Sequence, residues 1–207
     1  MVVDLSKLST MEEYRNLVDK NFKNLDVGYL ALNAGIVTFG LTEQVSDEQY
    51  SSMFNINGLH VVYLAKAMLN QLLERRSRSA ILIVSSVASY LIHSDITTYC
   101  TTKAMVRTFG QALHHEVKAK IDVLAWTPGY ILSNMAPTFR RRDGVLFFRT
   151  TAIEAVKVMH GSLGRTDTTC GTFGHRLTRF FGEKVIPYRW NCIMKWKIER
   201  ARNDFIA

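Results

Sequence analysis

Three side chains in one stretch have the types and spacing for acid–base chemistry. Tyr99 and Lys103 stand four residues apart, and Ser86 stands thirteen residues before Tyr99. If a helix begins at Thr97 or Thr98, the phenol and the ammonium lie one turn apart on a single face. An ammonium near a phenol favours the phenolate, so Lys103 is expected to lower the Tyr99 pKa from its ordinary value of about 10. A phenol tuned in this way can give a proton to a substrate oxygen, or take one from it, near neutral pH. A hydroxyl from Ser86 could hold that oxygen and stabilise the charge that builds on it. Tyr-x-x-x-Lys alone is frequent on exposed helices, and paired serines commonly end a strand, so the weight rests on the combination.

The elements that must position these groups are legible around them. Ile81–Val84 is an apolar run of the length of a strand buried on both faces, with Ser85 and Ser86 where it would leave the core. Residues 97–119 predict a long helix with Val106, Phe109, Leu113 and Val117 as its apolar stripe. Ile121–Trp126 and Val27–Leu32 read as further strands, and a last short strand is expected near Thr172. Residues 10–24 and 150–163 carry helical periodicity. Ser46 and Gln49 form a capping box for a short helix ending near Phe54. Asn55-Ile56-Asn57 interrupts that helix, and Leu59–Leu73 continues it with a strong apolar face. Met1–Leu5 reads as the end of a strand.

The strand, the serine, the fixed gap and the Tyr/Lys pair together resemble the short-chain dehydrogenase/reductase family. The resemblance implies an α/β fold with a Rossmann-type, doubly wound parallel sheet. It implies a catalytic group of Ser86, Tyr99, Lys103 and Asn57, with Asn57 chosen over Asn55 because Lys66 follows it by nine residues. Asn33-Ala34-Gly35 resembles the family's Asn-Asn-Ala-Gly beside the adenosine half of the cofactor, with Leu32 in place of the first asparagine. On residues alone it reads as a turn after a strand. Asp4 resembles the family's acid beside the adenine ring and reads equally as an acid at a helix start. Pro128-Gly129 is a turn signal on its own. With the family in mind, Ser133, five residues after Pro128, takes the place of the hydroxyl that holds the nicotinamide carboxamide. Tyr99 and Lys103 are implied to contact the cofactor as well. His60 stands where relatives often carry a small residue.

One feature of the family is missing. Its glycine-rich first turn, which cradles a pyrophosphate at a helix N-terminus, has no counterpart here. The expectation is a single domain over residues 1–207, incomplete at its N-terminus, whose sheet exposes the edge that the first strand would cover.

With 207 residues, 47% of them hydrophobic, the chain is sized for one substantial core. Cys100, Cys170 and Cys192 form neither a metal pattern nor a disulfide framework, which favours a reducing compartment. No apolar run approaches the ~20 residues of a membrane span, and the N-terminus lacks signal-peptide order. The net charge is +8. Arg140, Arg141, Arg142 and Arg149 make a basic segment that reads as a solvated loop or as a lid for an anionic group. Residues 176–207 mix basic and aromatic residues, which suits either a packed terminal helix or contact with a membrane surface. No nucleic-acid-binding signature accompanies the charge.

Within the family, the wording LDVGYLALNAGI and NINGLHVVYLAKAML and the basic C-terminus look most like the microsomal 17β-hydroxysteroid dehydrogenases and very-long-chain 3-oxoacyl-CoA reductases. That resemblance implies an oxidoreductase interconverting a ketone and a secondary alcohol on a lipid-like substrate, with NADP(H) as cofactor and NAD(H) the other choice. It implies the cytoplasmic face of the endoplasmic reticulum membrane, with the cytoplasm as the alternative, and a homodimer as in many relatives. A rival reading is a non-catalytic remnant that keeps the fold for structure or partner contact.

Overall fold

The computed structural model describes residues 2–133 and 150–185. Arg140, Arg141, Arg142, Arg149, Cys192 and the basic aromatic stretch after residue 185 lie outside the described residues.

Four parallel strands build the sheet: β1 (Tyr29–Leu32), β2 (Ser79–Val84), β3 (Ile121–Trp126) and, further on, Thr168–Thr169. They lie side by side in chain order. Between β1 and β2 come α2 (Asp47–Phe54), a π-helical turn over Asn55–Leu59, and α3 (His60–Glu74). α4 (Thr97–Val117) joins β2 to β3, and α1 (Met11–Asn21) precedes β1. Alternate strand residues face opposite ways. Ile81, Ile83, Ile121 and Val123 pack with Val61, Ala65, Met68 and Leu72 of α3 and Val106, Leu113 and Val117 of α4. Leu82, Leu124 and Trp126 face the other way, onto Ala155 and Met159. Both faces are covered, which is why these strands read as unbroken apolar runs rather than alternating ones. α1 packs against α3 through an edge-on contact of Tyr14 and Tyr63.

After β3 the chain forms β4 (Ile131–Leu132), which pairs in parallel with β5 (Thr150–Thr151). α5 (Ala152–Ser162), which carries Ala155 and Met159, follows directly. Thr168–Thr169 is β6, and α6 (Phe173–Phe180) completes the named elements.

The doubly wound α/β reading holds, with three local corrections. Val2 and Val3 are not in a strand. Asp4 instead caps a 3-10 turn over Leu5–Lys7, accepting from the Ser6 N–H at 3.1 Å and the Ser6 hydroxyl at 2.7 Å. A short carboxylate satisfies the first free amides of such a turn, and that local bond outweighs two β-branched residues. The last strand is Thr168–Thr169 rather than near Thr172, because Thr172 accepts from the His175 N–H and opens α6. β1 starts at Tyr29 rather than Val27. It pairs with β2 alone among the described residues, so it forms a sheet edge, as expected. The capping box at Ser46 and Gln49 is present, and equivalent boxes stand at Thr10/Glu13 and Thr151/Glu154.

Candidate active site

Because β1, β2 and β3 run parallel, their carboxyl ends emerge on one side, where open sheets of this kind place ligands. Asn33-Ala34-Gly35, Ser85-Ser86 and Thr127-Pro128-Gly129 leave the sheet there. With Tyr99 and Lys103 of α4, Asn33-Ala34-Gly35, Ser85-Ser86 and Pro128-Gly129 surround a cavity of about 970 Å³. Asp4 and Ser133 also reach its wall.

Ser86 is extended and starts a short 3-10 turn over Val87–Tyr90, with its hydroxyl accepting from the Ala88 N–H at 3.1 Å. The same hydroxyl is hydrogen-bonded to the Tyr99 phenol, a contact that favours the phenolate. Burial is the larger effect and leaves the Tyr99 pKa above its ordinary value. The expectation that Lys103 lowers it is not met. Lys103 Nζ lies 5.8 Å from the Tyr99 ring centroid and donates to the Val84 carbonyl at 2.9 Å. Lys103 is itself 4% exposed, and burial pulls its pKa down to about 8. At that value Lys103 is still mostly protonated at neutral pH, yet its charge does not outweigh the burial of the phenol. What remains at neutral pH is a protonated phenol bonded to a serine hydroxyl, poised to donate.

Asn57 does not line the cavity but stands directly behind its wall. It sits in the π-helical turn and is fully buried. Its Oδ1 accepts from the Ile36 N–H and its Nδ2 donates to the Ile36 carbonyl, both at 2.8 Å. Nδ2 also reaches the Thr102 hydroxyl at 3.4 Å, and that hydroxyl donates to the Tyr99 carbonyl at 3.0 Å. Gly35 rests on this group: a Cβ there would lie 3.2 Å from Lys103 Nζ and 3.3 Å from Asn57 Oδ1. The backbone after β1 thus approaches the lysine more closely than any side chain would comfortably allow.

On the far wall, Pro128-Gly129 is held from behind by His175 of α6. The fully buried His175 ring places its nitrogens 3.3 Å from the Cys170 and Tyr130 carbonyls. A Cβ on Gly129 would come within 2.6 Å of the His175 Cδ2. The remainder of the cavity is largely apolar, through Val37, Phe39, Ile96, Tyr130, Ile131 and Val156.

The structure therefore brings together Ser86, Tyr99, Lys103, Asn33, Ala34, Gly35, Pro128, Gly129, Ser133 and Asp4 around one cavity, with Asn57 in contact behind it. Asp4 is exposed, and its carboxylate is already engaged by Ser6, which holds its pKa below the usual carboxylate range. Residue reasoning did not find Thr102, His175 or the Ile36 backbone. Thr102 has a usable signal, since a threonine three residues after Tyr99 returns to its face. His175 has none, because its partners lie 5 and 45 residues away in the chain.

The pattern of a family described as short chain dehydrogenase matches residues 1–144. A diacetyl reductase [(S)-acetoin forming] from Staphylococcus epidermidis is 31% identical over 133 residues, 64% of this chain and 51% of that protein. A very-long-chain 3-oxoacyl-CoA reductase from Mycosarcoma maydis is 26% identical over 194 residues, 88% of this chain and 53% of that protein. The chain thus spans about half the length of these curated relatives. A solved structure of a 7β-hydroxysteroid dehydrogenase superposes with a TM-score of 0.76 at 18% identity, covering 93% of this chain and 74% of that one. That likeness establishes a shared fold.

Proposed function

This chain belongs to the short-chain dehydrogenase family, and we propose that it interconverts a ketone and a secondary alcohol on a lipid-like substrate, a 3-oxoacyl-CoA or a steroid, using NADP(H). One observation carries the reading: Tyr99, hydrogen-bonded to Ser86, faces a cavity whose other walls are a close-approach backbone at Gly35 and the Pro128-Gly129 turn.

The residues present suit a nicotinamide cofactor at these two backbones. Gly35 and Gly129 carry no Cβ, which would meet Lys103 and His175, so both turns pack tightly there while Gly35 and Gly129 themselves line the cavity, where a nicotinamide cofactor could lie. Ala34 and Gly35 would border the adenosine half, with Asn33 and Asp4 beside them. Pro128, Gly129 and Ser133 would border the nicotinamide half, and Lys103 a ribose hydroxyl. The cofactor, when bound, supplies or accepts the hydride.

This chain's own groups handle the oxygen. Ser86 donates a hydrogen bond to the substrate carbonyl and offsets its developing charge. Tyr99, kept protonated by burial, delivers the proton to that oxygen in reduction and takes it back in oxidation. Lys103, with its pKa lowered to about 8, still carries at neutral pH a proton that it can pass back to the phenolate. Asn57 keeps the Gly35-Ile36 backbone in register with Lys103. The apolar wall from Val37 to Val156 excludes water and favours an aliphatic or ring-system substrate over a small polar one.

A location at the cytoplasmic face of the endoplasmic reticulum membrane follows from the microsomal resemblance and the basic, aromatic C-terminal sequence. No helix among the described residues is long and apolar enough to cross a membrane.

Fluorescence titration of NADPH against the 207-residue chain tests the reading. Saturable binding at micromolar cofactor is expected. Absence of binding at millimolar cofactor would overturn it and leave a chain that keeps the fold for structure or partner contact.

A further inference from the structure

His60 stands one turn beyond Asn57, is 2% exposed, and takes no part in the chemistry described above. Its backbone N–H donates to the Asn55 carbonyl, five residues back, as the π-helical turn requires. The Ile56 carbonyl thereby loses the donor it would receive in an α-helix. The His60 ring makes up for it: Nδ1 is hydrogen-bonded to the Ile56 carbonyl. A carbonyl can only accept, so Nδ1 carries the proton and Nε2 is bare. Burial keeps the ring neutral, pushing its pKa down to about 4, and the nearby Lys103 ammonium acts in the same direction.

We propose that His60 is a positioning residue for the active site: its ring Nδ1–H holds the Ile56–Asn57 peptide in the π-helical turn that aims the Asn57 amide at Ile36. The Ile56 carbonyl and the Asn57 N–H belong to one planar unit, so fixing the oxygen fixes the plane from which Asn57 departs. Asn57 then grips both backbone groups of Ile36, and that grip sets Gly35 against Lys103. An ordinary α-helical turn at this point would rotate Asn57 away from Ile36. The inference rests on the proposed site, but its readouts need no turnover.

Two measurements test it. Long-range proton–nitrogen NMR of the unaltered protein should show His60 protonated at Nδ1; an Nε2–H tautomer would overturn the proposal. Hydrogen exchange of the Ile36 amide should then separate three variants. His60→Asn keeps a donor at the place of Nδ1, His60→Gln moves it one bond out, and His60→Leu fills the space without a donor. Exchange at Ile36 should speed up about tenfold in His60→Leu and His60→Gln, and stay within about threefold of wild type in His60→Asn. If His60→Leu protects Ile36 as well as His60→Asn does, the ring is a space filler and the proposal fails. These outcomes stand apart from cofactor binding, so a chain that binds no NADPH can still confirm or refute them.

Discussion

Asn57 holds Ile36 by both of its backbone groups, accepting from the N–H and donating to the carbonyl, each at 2.8 Å. A strand ends at Leu32, and this clamp replaces sheet pairing as the restraint on the chain beyond it. The residue that the family resemblance nominated for chemistry is thus first a structural link between α2/α3 and the loop after β1.

Replacing Asn57 with leucine keeps much of the volume and removes both bonds. Two backbone groups and the Thr102 hydroxyl would lose a partner inside the protein. The expected cost is at least about 2 kcal/mol of folding stability, measured by urea denaturation. An unchanged midpoint would mean that the clamp is dispensable.

Lys103 gives a pH signature. Its ordinary pKa is 10.5 and the folded value is about 8, the cause being burial. Between these two values the unfolded chain binds more protons at this site than the folded chain. Stability therefore rises with pH from about 8 to about 10.5, by up to about 3 kcal/mol from this group. Below pH 8 both states are protonated and the penalty of a buried charge is constant. The measurement is the difference in denaturation free energy between wild type and Lys103→Met across this range. The difference should slope with pH, and a flat difference would show that Lys103 is not desolvated.

Gly129 tests the far wall. In Gly129→Ala the new methyl would meet His175 at 2.6 Å, and His175 is fully buried between α6 and the Tyr130 carbonyl. Overpacking of this kind costs about 1–3 kcal/mol. The turn should shift toward the cavity, and NADPH affinity should fall about tenfold or more while the sheet stays folded. Unaltered affinity would place the nicotinamide somewhere other than this turn.

Much of the layered fold could be read from runs and caps. Ile81–Val84 and Ile121–Trp126 are apolar on consecutive residues because both sheet faces are covered, and only a parallel sheet between helices asks for that. The spacing to Lys66 selects Asn57 over Asn55, and the structure sets it behind the cavity wall, bonded to both backbone groups of Ile36. What failed was governed by local bonds or by burial. The Asp4 carboxylate capped a turn where two valines favoured a strand. Thr172 served as a helix cap, which moved the last strand upstream. The Tyr99 pKa moves opposite to the expectation, because sequence spacing gives proximity to Lys103 along a helix face but not the water removed from each group. His175 could not be anticipated, since its role exists only once α6 folds back behind Gly129.

The most direct test concerns the phenol. Tyr99→Phe removes the hydroxyl proposed to donate the proton and leaves the ring that forms the cavity wall. NADPH oxidation coupled to reduction of a 3-oxoacyl-CoA or a ketosteroid should fall by about a thousandfold, with NADPH binding within about twofold of wild type. Turnover undiminished in Tyr99→Phe would contradict the account.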